Sequence, residues 1–347
     1  MPRKLTIAYI GNGRSANRYH LPYVLARPDT FRVKSIYGGG PSSFAAVEGV
    51  RYLADINEMW SDDEIDLVVV CSPSHLHASY AREALKNGKN ALIEKPFAET
   101  SDEARELFDF AAERNLFLQC YQNRRFDSDF LTVQKVLARG VLGDLLEVEM
   151  HFDYFRPEVP RELFPTFNLD YSYLYGHGVH TVDQVLSWLG SPDRVHYDVR
   201  QLLGPGRMND YFDLDMYYGA AKVSVKSSYF RIKPRPSFVV YGTNGMFAKE
   251  AKDRQEEHLK MFYLPGNPDF GIDQPSHYGT LTYFDDQGGY HEEKVVSEVG
   301  DYGRIYDGAY ASIVDGAPKV VGDHETIELI EILEAGIRPL LAGQTGR

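Results

Sequence analysis

Cysteine is scarce in this 347-residue chain, and so are positive charge and long apolar runs. The two cysteines, Cys71 and Cys120, lie inside apolar runs, so we expect reduced core residues and a cytoplasmic setting. Acidic residues outnumber basic ones by 50 to 37, and the net charge of −13 would repel nucleic acid. No run approaches the roughly 18 apolar residues of a membrane span. These shortages argue against a disulfide scaffold, a nucleic-acid binder and a membrane protein.

The length suits two domains, and the sequence pattern changes near residue 123. Within residues 1–123, short apolar runs alternate with helical stretches, which predicts an α/β domain with a parallel sheet. The predicted strands are LTIAYI (5–10), FRVKSIY (31–37), IDLVVVC (65–71), NALIE (90–94) and LFLQCY (116–121).

Residues 124–347 have a different pattern, which predicts an α+β domain with a large open, mostly antiparallel sheet. Helices are expected at 128–140, 178–190 and 323–341, and a long alternating strand at 145–155. Between 194 and 296 the chain is mainly strands separated by turns, with GTNG (242–245) as a hairpin turn. Some of these strands carry Tyr, Phe and Val on both faces, so we expect a homodimer or homotetramer formed through this sheet.

A glycine-rich loop follows the first predicted strand. Gly11, Gly13, Arg14 and Ser15 belong to the stretch GNGRSA, which fits G-x-G-x-x-A between a strand and a helix. Gly11 permits a tight turn, and Gly13 lets the backbone approach a pyrophosphate at the helix N-terminus. The loop predicts a dinucleotide cofactor and makes residues 1–123 a Rossmann domain.

The end of the second strand bears on the choice between NAD and NADP. An acidic residue there would bind the ribose 2′-hydroxyl and repel a 2′-phosphate. The strand instead ends SIYGGGPSS, and no acid occurs before Glu48. Ser42 is available to donate a hydrogen bond to a phosphate. NADP is therefore favoured, and NAD remains possible.

Two further strand ends reach the same edge of the predicted sheet, where ligands bind in such folds. Ser72, Pro73 and His77 follow the third strand and are candidate cofactor contacts. No further cluster of metal-ligating residues lies near His75 and His77 in the sequence, so no metal site is predicted. Glu94 and Lys95 follow the fourth strand as part of EKP, where Pro96 restricts the backbone of Lys95. We expect Lys95 to point into the cleft above the nicotinamide and to steady negative charge on a reacting oxygen.

These motifs together resemble the Gfo/Idh/MocA oxidoreductases, named for glucose–fructose oxidoreductase and inositol dehydrogenase. The resemblance covers nearly the whole chain and rests on GNGRSA, SPSHLH, EKP and the helix GHGVHTVDQ. Within the family, NRRFDSDFLT (123–132) and HFDYFRP (151–157) most resemble the branch with NADP-dependent scyllo-inositol dehydrogenases. EKP in this context is specific, whereas the glycine loop alone is not.

The resemblance implies Lys95 and His180 as the catalytic pair. An imidazole suits a proton acceptor, because the ordinary pKa of histidine lies near neutrality. The family helix usually reads D-x-G-x-H, and Gly176 stands here at the position of its aspartate. Asp183, one turn after His180, either orients the imidazole or contacts the substrate. His177 is interpreted as a helix-start residue.

The expected reaction is hydride transfer between NAD(P) and the CH–OH group of a cyclic polyol or sugar-like alcohol, of the inositol type. Arg125, Asp153 and Arg156 either contact this small hydroxylated substrate or form structural ion pairs. Two alternatives stay open. One is a reductase of the same fold acting on a diol or a tetrapyrrole, and the other is a non-catalytic sensor that binds NAD(P).

Overall fold

A computed structural model of the chain describes residues 3–38, 44–158, 172–204 and 206–342. The chain forms two compact units. The first contains Met1–Asn123, Glu256–Phe270 and Tyr302–Ile327, and the second contains Arg124–Gln255, Gly271–Asp301 and Glu328–Arg347. The sequence pattern assigned the two later segments of the first unit to the second domain.

The first unit is built on a six-stranded parallel sheet with strand order β3-β2-β1-β4-β5-β6. Its strands are β1 (Leu5–Ile10), β2 (Phe31–Tyr37), β3 (Arg51–Leu53), β4 (Leu67–Val70), β5 (Asn90–Ile93) and β6 (Leu118–Cys120). Strands β1 and β4 are buried along their whole length, as their continuous apolar runs require. The order and direction of the strands are those of a Rossmann fold, which confirms the predicted fold class.

The second unit is built on an eight-stranded sheet with strand order β14-β13-β12-β11-β7-β10-β9-β8. Its strands are β7 (Leu145–His151), β8 (Arg194–Arg200), β9 (Tyr211–Tyr218), β10 (Ala221–Ser228), β11 (Phe238–Gly242), β12 (Gly245–Lys249), β13 (Gly279–Phe284) and β14 (Tyr290–Val295). Only the β7–β10 pair is parallel, so the prediction of a large, mostly antiparallel sheet is confirmed. The predicted hairpin turn connects β11 to β12.

Nine α-helices are present in the part of the chain that the structure describes. They are α1 (Leu21–Leu25), α2 (Asn57–Trp60), α3 (His77–Lys86), α4 (Ser101–Ala112), α5 (Ser128–Ala138), α6 (Val179–Leu189), α7 (Gln255–Lys260), α8 (Arg304–Asp315) and α9 (Asp323–Ala342). In the second unit, apolar residues of α5, α6 and α9 pack with one face of the sheet to form the core. Among the described helices, none is both long enough and apolar enough to cross a bilayer.

The other face of the central strands in the second sheet is charged. Lys222 of β10 lies 2.8 Å from Glu147 of β7, and Lys226 lies 3.6 Å from Asp213 of β9. In β9, Phe212, Leu214 and Met216 face the core, whereas Tyr211 and Tyr217 lie on the charged face, where Tyr217 is the cross-strand neighbour of Lys222. The alternating pattern therefore places aromatic side chains on both faces of this strand. Association through this sheet stays a prediction.

Glycine is required at the turn where β1 ends. Gly11 has φ +110°, a conformation that side chains other than glycine's rarely adopt. A Cβ at this position would lie 2.5 Å from the carbonyl oxygen of Cys71. Gly13 differs, because a Cβ there would meet no protein atom within 4 Å. Gly11 therefore shapes the loop, and Gly13 leaves open space beside it.

We expect Gly11→Ala to lower the free energy of unfolding by about 2–4 kcal/mol, because it adds backbone strain and a clash with a backbone carbonyl. Gly13→Ala is the matched control and should change it by less than about 1 kcal/mol. Urea unfolding without added ligand measures both values. Equal losses in the two variants would contradict the distinct roles of the two glycines.

Candidate active site

The helical segment after the glycine loop begins with a π-helical turn, Ala16–His20, in which Leu21 N–H bonds to Ala16 O. Pro22 follows this turn and has no N–H, so regular α-helical bonding cannot run through it. His20 lies at the end of the turn and is fully buried. Turns of this kind often occur at functional sites.

Glu94, at the carboxyl end of β5, connects this turn to Lys95. Its Oε1 accepts hydrogen bonds from Ser15 Oγ and from His20 Nε2, the latter at 3.0 Å. Its Oε2 accepts the backbone N–H of Lys95 at 2.8 Å. Burial alone would raise the pKa of Glu94, but His20, Lys95 and Ser15 together lower it to about 2. The carboxylate is thus ionised at any working pH and holds the backbone of Lys95 beside the glycine loop.

His20 is also held from its other side. Its Nδ1 lies 2.7 Å from the hydroxyl of Tyr306, which lies 3.2 Å from the hydroxyl of Tyr9. The ring of Tyr121 packs on the imidazole with centroids 3.9 Å apart. Burial raises the pKa of Tyr9 and of Tyr306, so both phenols stay protonated and remain hydrogen-bond donors. These residues form a buried chain of hydrogen bonds from Tyr9 to Glu94.

His77 joins the loops that follow β4 and β5. Its Nδ1 lies 2.7 Å from the carbonyl oxygen of Pro96, and its Nε2 lies 2.9 Å from that of Ser72. The ring is buried, so the structure gives His77 a positioning role for these loops. Its contact with a cofactor stays a prediction, as does that of the exposed Pro73. Ser42 lies outside the described residues.

The second unit carries the other half of the predicted catalytic pair. A π-helical turn, Leu174–Gly178, leads into α6, and Val179 N–H bonds to Leu174 O. His180 is buried in the first turn of α6. Gly176 and His177 belong to the π-helical turn itself. Both helices predicted to carry site residues therefore begin with this uncommon turn.

Arg125 and Asp183, both predicted near the substrate, form a buried bidentate ion pair. Arg125 Nε and Nη2 donate to the carboxylate of Asp183 at 2.8 and 2.7 Å. The exposed fractions of the two side chains are 7% and 2%. The pair therefore fixes α6 and His180 relative to the segment that precedes α5, and direct contact of either residue with substrate stays a prediction.

Asp153 is likewise engaged by an arginine that the sequence did not indicate. Arg235 Nε and Nη2 donate to the Asp153 carboxylate at 2.8 and 2.9 Å. Burial raises the pKa of Asp153, but Arg235 outweighs it and lowers the pKa below its ordinary value. A role for Asp153 toward substrate stays a prediction. Nothing in the spacing of the two residues along the chain suggests that they pair.

An aromatic cluster surrounds His177, with ring centroids 4.7 to 5.9 Å from the imidazole. Its members are Phe152, Tyr154, Tyr173 and Tyr229. His177 is therefore a packed residue of this cluster, in agreement with its interpretation as a local structural residue.

Cations cover the aromatic cluster. Lys252 Nζ lies 4.0 Å from the ring centroid of Phe152 and 4.8 Å from that of Tyr154. The guanidinium of Arg156 stacks on Tyr154 at 4.3 Å, and that of Arg124 lies 4.7 Å from Phe152. Arg156 was predicted as a substrate contact, whereas Lys252 and Arg124 were missed. Stacked aromatic rings and fixed donors are the groups with which proteins hold hydroxylated ligands.

Two observations show that the first unit fits a dinucleotide. The space beside Gly13 is open, so a phosphate can approach the backbone there. Arg18 has a buried Nε without a hydrogen-bond partner among the described residues, and Arg14 is exposed. Across the described residues, no three His, Cys, Asp or Glu side chains are grouped to hold a metal ion.

We expect Asp183→Asn to lower the free energy of unfolding by about 3–5 kcal/mol, because it leaves the guanidinium of Arg125 buried without its carboxylate. Replacing both residues, as in Arg125→Met with Asp183→Leu, should be less harmful than the single change. The exposed pair between Lys86 and Glu83 provides the control, and Glu83→Gln should change the value by less than about 1 kcal/mol. Urea unfolding of the four proteins distinguishes these outcomes; a neutral Asp183→Asn would contradict the structural role of the pair.

Comparisons with known proteins agree with this geometry. Residues 5–122 match the family model described as an oxidoreductase family with an NAD-binding Rossmann fold. Residues 130–248 match the model of the GFO/IDH/MocA C-terminal domain.

Relatives extend the similarity over nearly the whole chain. The chain is 42% identical over 335 residues to the uncharacterized oxidoreductase YhhX of Escherichia coli K12, with 96% of each chain covered. It is 28% identical over 341 residues to IolW of Bacillus subtilis 168, a scyllo-inositol 2-dehydrogenase (NADP(+)), with 96% of this chain and 93% of IolW covered.

A solved oxidoreductase structure from Bacillus cereus superposes with a TM-score of 0.89 at 39% identity, covering 96% of each chain. A crystal structure of an oxidoreductase yhhX gives a TM-score of 0.90 at 41% identity, again over 96% of each chain. The matched domains, the full-length relatives and the two solved structures lead to one conclusion: the chain belongs to the Gfo/Idh/MocA oxidoreductase family and has its NAD(P)-binding Rossmann domain.

Proposed function

We propose that this oxidoreductase is an NADP-preferring dehydrogenase of a cyclic polyol or sugar-like alcohol, with Lys95 and His180 as its catalytic residues. The inositol type is the favoured substrate class. The observation that carries the proposal is the buried Glu94 carboxylate, which bonds both to the helix after the glycine loop and to the backbone of Lys95.

In the proposed reaction, Lys95 acts on the substrate oxygen. Its ammonium group donates a hydrogen bond to the reacting hydroxyl and stabilises the negative charge that develops on that oxygen. The backbone of Lys95 is fixed by Glu94 on one side and by the loop contacts of His77 with Pro96 on the other. A fixed backbone supports the proposal, because it reduces the reorganisation that the reaction requires of this residue.

His180 serves as the proton acceptor of the hydroxyl in oxidation and as the donor in the reverse reduction. The ion pair between Arg125 and Asp183 supports its helix. The bound nicotinamide supplies the hydride acceptor or donor. Both directions use the same two side chains.

The substrate class is supported by relatives and by the aromatic cluster. IolW acts on scyllo-inositol, and a 25% identical relative from Haloferax volcanii is a D-xylose 1-dehydrogenase (NADP(+)). The rings around His177, with Lys252 and Arg156 stacked on them, offer apolar faces and donors to a hydroxylated ring. Gly176 replaces the family aspartate, so we infer that recognition of the polyol differs in detail from that of the family. A cytoplasmic setting and association through the second sheet complete the proposal.

A substrate panel tests the function directly. Purified protein is assayed by nicotinamide absorbance with polyols, sugars, their ketones, diols and a tetrapyrrole, while calorimetry records cofactor binding. Turnover of an inositol or sugar supports the proposal. Turnover of a diol or tetrapyrrole alone would replace the substrate class, and cofactor binding without any turnover would favour a ligand sensor.

We expect Lys95→Met to lower kcat by roughly 10²–10³-fold, because it removes the charge that stabilises the reacting oxygen and keeps the apolar stem. Cofactor affinity should persist, since the glycine loop is unchanged. Lys86→Met, at an exposed position on α3, is the matched control and should keep full activity. Retained turnover in Lys95→Met would remove this lysine from the mechanism.

We expect His180→Ala to lower turnover by roughly 10²–10⁴-fold with little effect on cofactor binding, because the residue belongs to the second unit. The loss should depend on pH, because a proton acceptor shapes the acidic limb of the profile for oxidation and a proton donor shapes the basic limb for reduction. His196→Ala, on an exposed part of β8, serves as the control. An unchanged rate across the pH range would show that His180 is only a packing residue.

A further inference from the structure

Phe262 lies in the first unit, two residues after α7, and has an unusual backbone. Its φ is +58°, a value that bulky side chains rarely adopt. A residue in this conformation just after a helix is usually glycine, because glycine adopts it without strain. A phenylalanine that keeps this strained conformation is therefore expected to have a role for its ring.

Burial does not supply that reason, because Phe262 is 55% exposed. Its ring has one aromatic and one cationic neighbour among the described residues. The ring of Phe44 lies 5.9 Å away at 52°, and the Arg18 guanidinium lies 5.6 Å from the ring centroid.

The segment that carries Phe262 is well anchored. Leu259 is fully buried in a cluster with Tyr23 and Tyr302, and Tyr19 donates a hydrogen bond to Glu256 at 3.3 Å. Residues other than Phe262 therefore hold the backbone of this segment in place.

Arg18 differs from several other arginines of the first unit in its partners. Arg27, Arg32 and Arg51 each pair with a carboxylate at 2.7–2.8 Å. Arg18 has no carboxylate partner among the described residues, and its buried Nε has no hydrogen-bond acceptor there. In a chain with a net charge of −13, a half-buried cation without an acid nearby indicates a site for an anion from solution.

The location of Arg18 restricts which anion this can be. A Cβ on Gly38, just after β2, would lie 2.6 Å from Asn12 N, so the end of β2 lies directly against the glycine loop. Phe44 is the next described residue after Gly38. In a Rossmann domain, the adenosine ribose of the cofactor binds at the end of the second strand.

We propose that Arg18 binds the 2′-phosphate of NADP and that Phe262 keeps its strained conformation because its ring holds the Arg18 guanidinium in place. The inference rests on the proposed NADP preference and names the residues responsible for it. The end of β2 has no acid that would repel NADP, but the absence of an acid does not by itself favour NADP. In this proposal, Arg18 provides the preference, and a segment far along the chain holds Arg18 in place.

Calorimetric titration of the full chain with NADP+ and with NAD+ tests the role of Arg18. Arg18→Gln should weaken NADP+ binding by roughly 10- to 100-fold, the range expected for a charged hydrogen bond, and change NAD+ binding by less than about 3-fold. The fragment 2′,5′-ADP should show the same loss without any nicotinamide. Equal loss for NADP+ and NAD+, or no loss for either, would overturn the proposal.

Phe262→Gly tests the role of the strain. It should leave the thermal midpoint unchanged or raise it, because the backbone strain is relieved, while NADP+ binds at least 3-fold more weakly. Met261→Ala changes an exposed neighbour and should alter neither quantity. A lower midpoint with unchanged NADP+ affinity would show that the ring serves packing only, against the proposal.

The wild-type protein distinguishes failure of this inference from failure of the proposed function. Wild type that prefers NADP+ together with Arg18→Gln that keeps the preference would overturn only the role of Arg18. Wild type that binds NAD+ and not NADP+ would overturn both the cofactor preference and the 2′-phosphate site, while the family assignment would stand.

Discussion

The Glu94 carboxylate accepts hydrogen bonds from three places: the helix after the glycine loop through Ser15, the imidazole of His20, and the backbone of Lys95. A buried charge of this kind is stable only when its partners satisfy it, so all three groups are constrained at once. The glycine loop and the EKP loop therefore cannot shift independently. Together with the contact of His77 with Pro96, this carboxylate fixes the backbone of the proposed catalytic lysine.

The constraint extends through His20 to Tyr306 and Tyr9, so that a distant part of the chain helps to fix Lys95. The segments 256–270 and 302–327 complete the first unit around its sheet. One of them supplies the buried phenol, and the other supplies Phe262 beside Arg18. The proposed reacting end and the proposed 2′-phosphate site are thus both supported by segments that follow the sheet strands in the sequence.

Sequence patterns predicted the fold well where burial is complete. Strands β1 and β2 occur at the predicted residues because continuous or regularly alternating apolar residues leave no other arrangement. The short β3 was missed because two of its three residues are exposed. The helix α8 was missed although its buried residues Ile305, Tyr306 and Ala309 recur at helical spacing. The membership of the later segments in the first unit depends on long-range contacts that no local pattern contains.

The sequence indicated which residue types to consider for the candidate site, but it did not indicate which residues they would bond to. Lys95 was proposed because a strand end and a proline restrict it, and His180 because of the resemblance of its helix to the family's. His20 gave no signal beyond being a histidine in an apolar stretch, and its role depends on Tyr306. Arg125 and Asp153 were recognised as polar groups near the site, but only the fold reveals that an acid and an arginine already hold them.

The hydrogen bond between Tyr9 and Tyr306 joins residues that are 297 positions apart. During synthesis, all six strands of the parallel sheet have been made by residue 120, while the tyrosine that completes the interior has not. At typical rates of 5–20 residues per second, the nascent sheet waits roughly 10–40 s for it. Through that interval His20 and Glu94 lack their final environment. The N-terminal unit of this enzyme is therefore first in sequence but among the last parts of the molecule to be finished on the ribosome.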